Sequence, residues 1–123
     1  MIEKYPDVPV EIWDIQEFTY LDADRCKNTS VMEREAIRNE YLTENNPDFV
    51  HGKGAESFNQ MMHRADNLLD KLSKVETDKF VVIFTHAQFI RAVLARKEYG
   101  MVTFTDVFEG VEINNTDIVK LRF

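Results

Sequence analysis

The strongest constraint in this chain is a short apolar run that ends on a histidine: KFVVIFTHAQFIRAVLA, residues 79–95. Phe80, Val81, Val82, Ile83 and Phe84 are all apolar, and each is β-branched or aromatic. With no polar alternation, the run has the pattern of a strand buried on both faces. It stops at Thr85-His86, and Phe89, Ile90, Val93 and Leu94 then follow at helical spacing. His86 therefore stands where a core strand is expected to end and a helix over about 87–97 to begin. In open α/β sheets, ligands bind beyond the carboxyl ends of the strands, where helix N-termini present unpaired amides, here those of Ala87, Gln88 and Phe89. Such a place suits a phosphate: the amides donate, the helix dipole favours negative charge, and a protonated imidazole adds a donor. The plainer alternative is that His86 caps the helix or sits half-buried as a satisfied polar residue.

The rest of the chain reads as a layer fold around that strand. Val8, Val10 and Ile12 alternate with Pro9, Glu11 and Trp13, the period of a strand with one buried face. Residues 15–20 interleave apolar and polar groups around a lone carboxylate, Glu17, and residues 21–30 are turn-rich. Ser30 is a candidate cap for a helix over about 31–44, with Glu33 as reciprocal partner, and Asn45-Asn46-Pro47 ends it. A loop with Gly52 and Gly54 leads to a second capping pattern, Ser57 and Gln60. From there to about residue 74, Phe58, Met61, Met62, Ala65, Leu68, Leu69 and Leu72 form an apolar stripe, expected to pack on a sheet. Residues 110–114 and 118–123 look like two strands joined by a tight turn at Asn115-Thr116. Alternating elements of this kind predict an α/β layer fold. At 123 residues, with no repeat and no long linker, it is one domain over 1–123. Residues 1–5 read like the last turn of a helix, which suggests that Met1 is a cut, not a natural start.

Composition narrows the function. A net charge of −7 argues against a general nucleic-acid binder, although a local positive pocket can still hold a small anion. The single Cys26 forms no internal disulfide, and three scattered histidines offer no zinc spacing. No apolar run approaches the roughly 20 residues of a membrane span, and the N-terminus lacks a signal-peptide core. These features predict a cytoplasmic protein without membrane, nucleic-acid or metal partners.

Glu17 is the second candidate after His86. A carboxylate between Ile15 and Phe18, just past a strand, is a candidate to be partly desolvated and hold a proton near neutrality, the requirement for a general acid. Its plain alternative is a surface glutamate in a loop. Arg25 and Arg34 are candidate anion donors, while His51 in a polar loop and His63 off the apolar stripe are weaker.

Four stretches in the right order together resemble the histidine phosphatase superfamily, the phosphoglycerate-mutase-like fold. VVIFTHAQFIRAVLA resembles its second-histidine motif, an apolar strand ending in Ser/Thr/Gly-His-Gly and running into a helix. GAESFNQMMHRADNLLDKL resembles the Gly-Glu-Ser-Phe segment, VEIWDIQEFTYL the segment with the acidic residue, and GVEINNTDIVKLRF the closing strands. The closest flavour is a bacterial subgroup with EFTYL and His-(Gly/Ala)-Gln-Phe. The resemblance implies a three-layer α/β/α fold and a phosphomonoester hydrolase acting on a small phosphorylated substrate without metal or cofactor. It makes His86 the histidine that contacts the phosphoryl oxygens and Glu17 the proton donor to the leaving oxygen. Ala87 stands where the family has Gly, and Gln88, Tyr20 and Arg25 are further candidates for substrate contact.

One departure is large. The family begins with a strand ending in Arg-His-Gly, whose histidine becomes phosphorylated, and no arginine here precedes a histidine. The resemblance therefore implies that the sequence is the C-terminal two-thirds or so of the domain, incomplete at the N-terminus. Residues 80–84 would then lack a ladder partner, leaving an open sheet edge prone to aggregation and to homo-oligomer formation. Without the nucleophile, the acid and the anion donors alone should not turn over substrate. A mutase is disfavoured by the short length. The alternative of another class is a non-catalytic α/β module that binds a phosphorylated ligand or partner through His86.

Overall fold

The computed structural model describes residues 7–122; the expected helical turn at 1–5 and the last residue of the closing strand lie outside them. Among them four helices form: α1 Val31–Glu44, α2 Phe58–Ser73, α3 Ala87–Tyr99 and the short α4 Phe104–Phe108. Their starts follow local chemistry. Ser30 accepts from the Glu33 amide, without the reciprocal bond, while Ser57 and Gln60 close a full capping box. Thr103 and Asp106 close a second one at α4, which has no counterpart among the expected elements. At the other ends, Asn45 adopts a left-handed conformation and Gly100 a positive φ of 77°.

The three-layer α/β/α expectation is overturned. No strand forms among the described residues. The segments read as strands, around 8–12, 80–84, 110–114 and 118–122, are not paired into a ladder. A strand is stable only when a neighbour accepts and donates along it, and here other groups engage the nearby backbone. The carbonyls of Asp14 and Gln16 accept from Arg64, and that of Ile15 accepts from the Thr85 hydroxyl. Residues 80–84 have no strand alongside among the described residues, so Phe80 stands fully exposed and Phe84 is 73% exposed. The turn of the expected C-terminal hairpin does form. Asp117 donates to the Asn114 carbonyl at 3.1 Å and accepts from its amide at 2.8 Å, with Thr116 at φ 71°.

The apolar stripe of α2 packs on α3, and α3 packs on α4, so a helix takes the place expected for a sheet. Met61, Ala65, Phe89, Ala92 and Val107 are fully enclosed there. An aromatic cluster extends this core, with Phe58 edge-on to Phe104 at 4.6 Å and Tyr20 edge-on to Phe108 at 4.8 Å. Arg96 ties α3 to α2 through a two-pronged bond to Asp66 at 2.8 and 3.0 Å. Lys71 lies over the Trp13 ring at 4.8 Å and so seats the N-terminal extended segment on α2. No helix among the described residues is long and apolar enough to cross a membrane.

Candidate active site at the N-terminus of α3

His86 is the cap residue of α3, in an extended conformation (φ −125°, ψ 158°), and its carbonyl accepts the first helical bond from Ile90. Its imidazole makes no capping bond and is exposed. His86 is thus the cap by position, while its side chain supplies no capping bond. Glu17 caps it instead. The Glu17 carboxylate accepts from the amides of Gln88 at 3.2 Å and Phe89 at 3.1 Å, and from its neighbour Phe18 at 3.0 Å. A negative group at this end complements the helix dipole. Glu17 and His86, some seventy positions apart in sequence, thus stand at the same end of α3.

The meeting alters the expected anion cradle. Of the three amides read as phosphate donors, those of Gln88 and Phe89 hold the protein's own carboxylate, and Glu17 leaves the Ala87 amide unengaged. Ala87 and Gln88 are half-buried beside the exposed imidazole.

The segment that delivers Glu17 is held from two sides. In extended backbone, carbonyls two residues apart face the same way and the one between faces the opposite way. Arg64 NH1 takes the carbonyls of Asp14 and Gln16 at 3.2 and 3.0 Å, and Thr85 Oγ1 takes that of Ile15 at 2.5 Å. The Arg64 guanidinium is only 8% exposed and pairs two-pronged with Glu56 at 3.0 and 2.5 Å. It also lies 4.9 Å over the ring of Phe89. Sequence reasoning missed Arg64, Glu56 and Thr85 as parts of this site. The one available signal was a charged residue directly beside Ala65 on the buried stripe of α2, where an unpaired arginine would be costly.

Tyr20 and Arg25, the two further contact candidates, are engaged elsewhere. Tyr20 packs in the aromatic cluster against Phe18, Tyr41 and Phe108. Arg25 donates to the His51 carbonyl, and Arg34 to the carbonyl of Thr29 at 2.6 Å. His51, read as a polar-loop residue, is buried, and its Nδ1 accepts from the Asp22 amide at 2.9 Å. Desolvation, with Arg25 nearby and only partly opposed by Asp22, holds its pKa below the usual histidine value. The buried Asp22 carboxylate fills the concave side of the adjoining loop. A Cβ at Gly52 would lie 2.2 Å from Asp22 Oδ2, and one at Gly54 2.6 Å from Oδ1. Among the described residues, no three His, Cys, Asp or Glu side chains gather as a metal site.

Comparison with known proteins agrees with the motif order. No curated protein and no solved structure matches the chain. One family model does, over residues 2–123. With the order of its four motifs and the meeting of residues 17 and 86–89 now in view, the chain belongs to the histidine phosphatase superfamily (branch 1).

Proposed function

We propose that the protein serves phosphate-monoester hydrolysis. His86 donates to the phosphoryl oxygens, the Ala87 amide and the Gln88 side chain add neutral donors, and Glu17 protonates the leaving oxygen. Membership of the superfamily points to phosphatase- or mutase-type chemistry on a small phosphorylated substrate; hydrolysis and these residue roles are our reading. The observation that carries it is that Glu17 and the exposed His86 imidazole stand at the same end of α3; the carboxylate now caps the amides of Gln88 and Phe89, so serving a leaving oxygen requires that those bonds be given up as substrate binds. A proton donor must lie within hydrogen-bond reach of the group it serves, and geometry precedes acidity in judging one. The exposed imidazole, engaged in no capping bond, has its ring nitrogens available for an anion.

Covalent transfer also needs a nucleophile: an imidazole nitrogen bonds to phosphorus, the ester P–O bond breaks, and the leaving oxygen takes the Glu17 proton. None of His51, His63 and His86 follows an arginine as the family's nucleophile does, so we expect residues 1–123 alone to be inactive. An assay on p-nitrophenyl phosphate tests this with the 123-residue chain and a form extended through the reading frame upstream of Met1. A longer form that carries an Arg-His-Gly segment ahead of Met1 should turn over, and its Glu17→Gln variant should lose about 10²–10⁴-fold in kcat. Turnover by the 123 residues alone would refute the expected inactivity of the short chain, and absence of turnover in every form would refute the hydrolase reading. Phosphate binding without turnover in the extended form would favour a non-catalytic binding module.

A further inference from the structure

We propose that Arg64 is the positioning residue for Glu17, holding its carboxylate on the first turn of α3; the catalytic meaning of this, though not the geometry, rests on the reading of Glu17 as proton donor. A buried guanidinium must be paired, and Glu56 alone meets that need through Nε and NH2. NH1 does something further. It gathers the carbonyls of Asp14 and Gln16, the second of which immediately precedes Glu17. The same guanidinium lies 4.9 Å over the ring of Phe89, whose amide donates to Glu17 Oε1 at 3.1 Å. One side chain therefore touches both partners of the contact: the strap that brings the carboxylate and the helix turn that receives it. Thr85 holds the opposite side of the strap through Ile15, one residue before His86. A rigid five-donor fork can make these bonds together, and a lysine ammonium, a point donor on a flexible stem, cannot.

The test reads hydrogen bonding and needs no turnover. In ¹⁵N–¹H spectra of the protein, Glu17→Gln sets the signature of losing a charge-assisted acceptor at the amides of Gln88 and Phe89. Arg64→Lys should reproduce that displacement at both residues while the Phe18 amide, bonded to its own neighbour, keeps its position. A purely structural Arg64 would lower thermal stability and perturb Phe89 only through the lost guanidinium over its ring, leaving the Gln88 amide where the unaltered protein has it, and that result would overturn the proposal. Should Arg64→Lys fail to fold, Thr85→Val loosens the same strap without disturbing the buried charge. It should move the same two amides in the same direction, and unmoved resonances there would equally overturn the proposal. Loss of the phosphatase reading in the turnover assay would leave this result standing, and the reverse also holds.

Discussion

The helical body and the extended segments are made of similar residues and meet opposite fates. In the body, Met61, Phe89 and Val107 are fully enclosed; in the segments, Phe80 is 100%, Ile12 97% and Ile118 88% exposed. Hydrophobicity does not separate them, because residues 80–84 are as apolar as any stretch of α2 or α3. The difference lies in where the backbone bonds go. A helix closes its hydrogen bonds within itself and then needs only one face covered. An extended segment depends on a neighbour for every bond along its edge. Local closure comes first, and burial follows it.

Two phenylalanine truncations would break that contrast if it is wrong. Phe89→Ala, in the enclosed interface of α2 and α3, should cost about 3–5 kcal/mol. Phe80→Ala should stay within about 0.5 kcal/mol. Equal losses in thermal denaturation would show that residues 80–84 are buried in solution.

A smaller effect probes the quality of packing within the body. The Tyr41 ring is buried among Tyr20, Phe49 and Phe104, and its hydroxyl has no hydrogen-bond partner among the described residues. Desolvation, with lesser contributions from Tyr20 and Glu56, pushes its pKa up to about 12. The folded chain thus holds a proton that the unfolded chain releases near 10, so this stability is present below 10 and lost as pH rises through about 12. Tyr41→Phe should abolish that alkaline loss and raise stability near neutrality by about 1 kcal/mol, measured by chemical denaturation.

The mildest test concerns a loop at the margin of the two regions. Because His51 is held below its ordinary value of 6.5, the folded state binds fewer protons than the unfolded state in that range. Its stabilising contribution is therefore present above 6.5 and lost as pH falls through the lowered value. His51→Asn, which keeps an acceptor for the Asp22 amide, should flatten the dependence of melting temperature on pH below 6.5. An unchanged slope would remove His51 as its cause.

The same contrast explains what was legible in the sequence. The capping box at Ser57 and Gln60, the stripe on α2 and the start of α3 at Ala87 are encoded by neighbours within a few positions, and all three form. α4 was equally local in its code, through Thr103 and Asp106, but five residues carry no periodicity to notice. The strand-like alternation of residues 8–12 and the run at 80–84 describe what those residues prefer beside a partner. They do not supply the partner, and the expected sheet accordingly does not form. At the start of α3, His86 and Glu17 were candidates from type and context. Arg64 and Thr85 were not, because their targets are carbonyls, and every residue in the strap carries one of those whatever its side chain.

The loop around His51 carries a constraint of a different kind. Gly52 and Gly54 have ordinary backbone angles, so nothing in their conformation forbids a side chain; the obstacle is the carboxylate of a residue some thirty positions earlier. The fitness of an alanine at either site is thus conditional on the identity of residue 22. Such positions are epistatic: at Gly54 a shorter or rotated side chain at 22 makes room, whereas at Gly52 the Asp22 Cβ itself would lie 2.8 Å away, so an alanine at 22 would not suffice. A lineage that altered Gly54 before making that room would have to pass through a clashing intermediate.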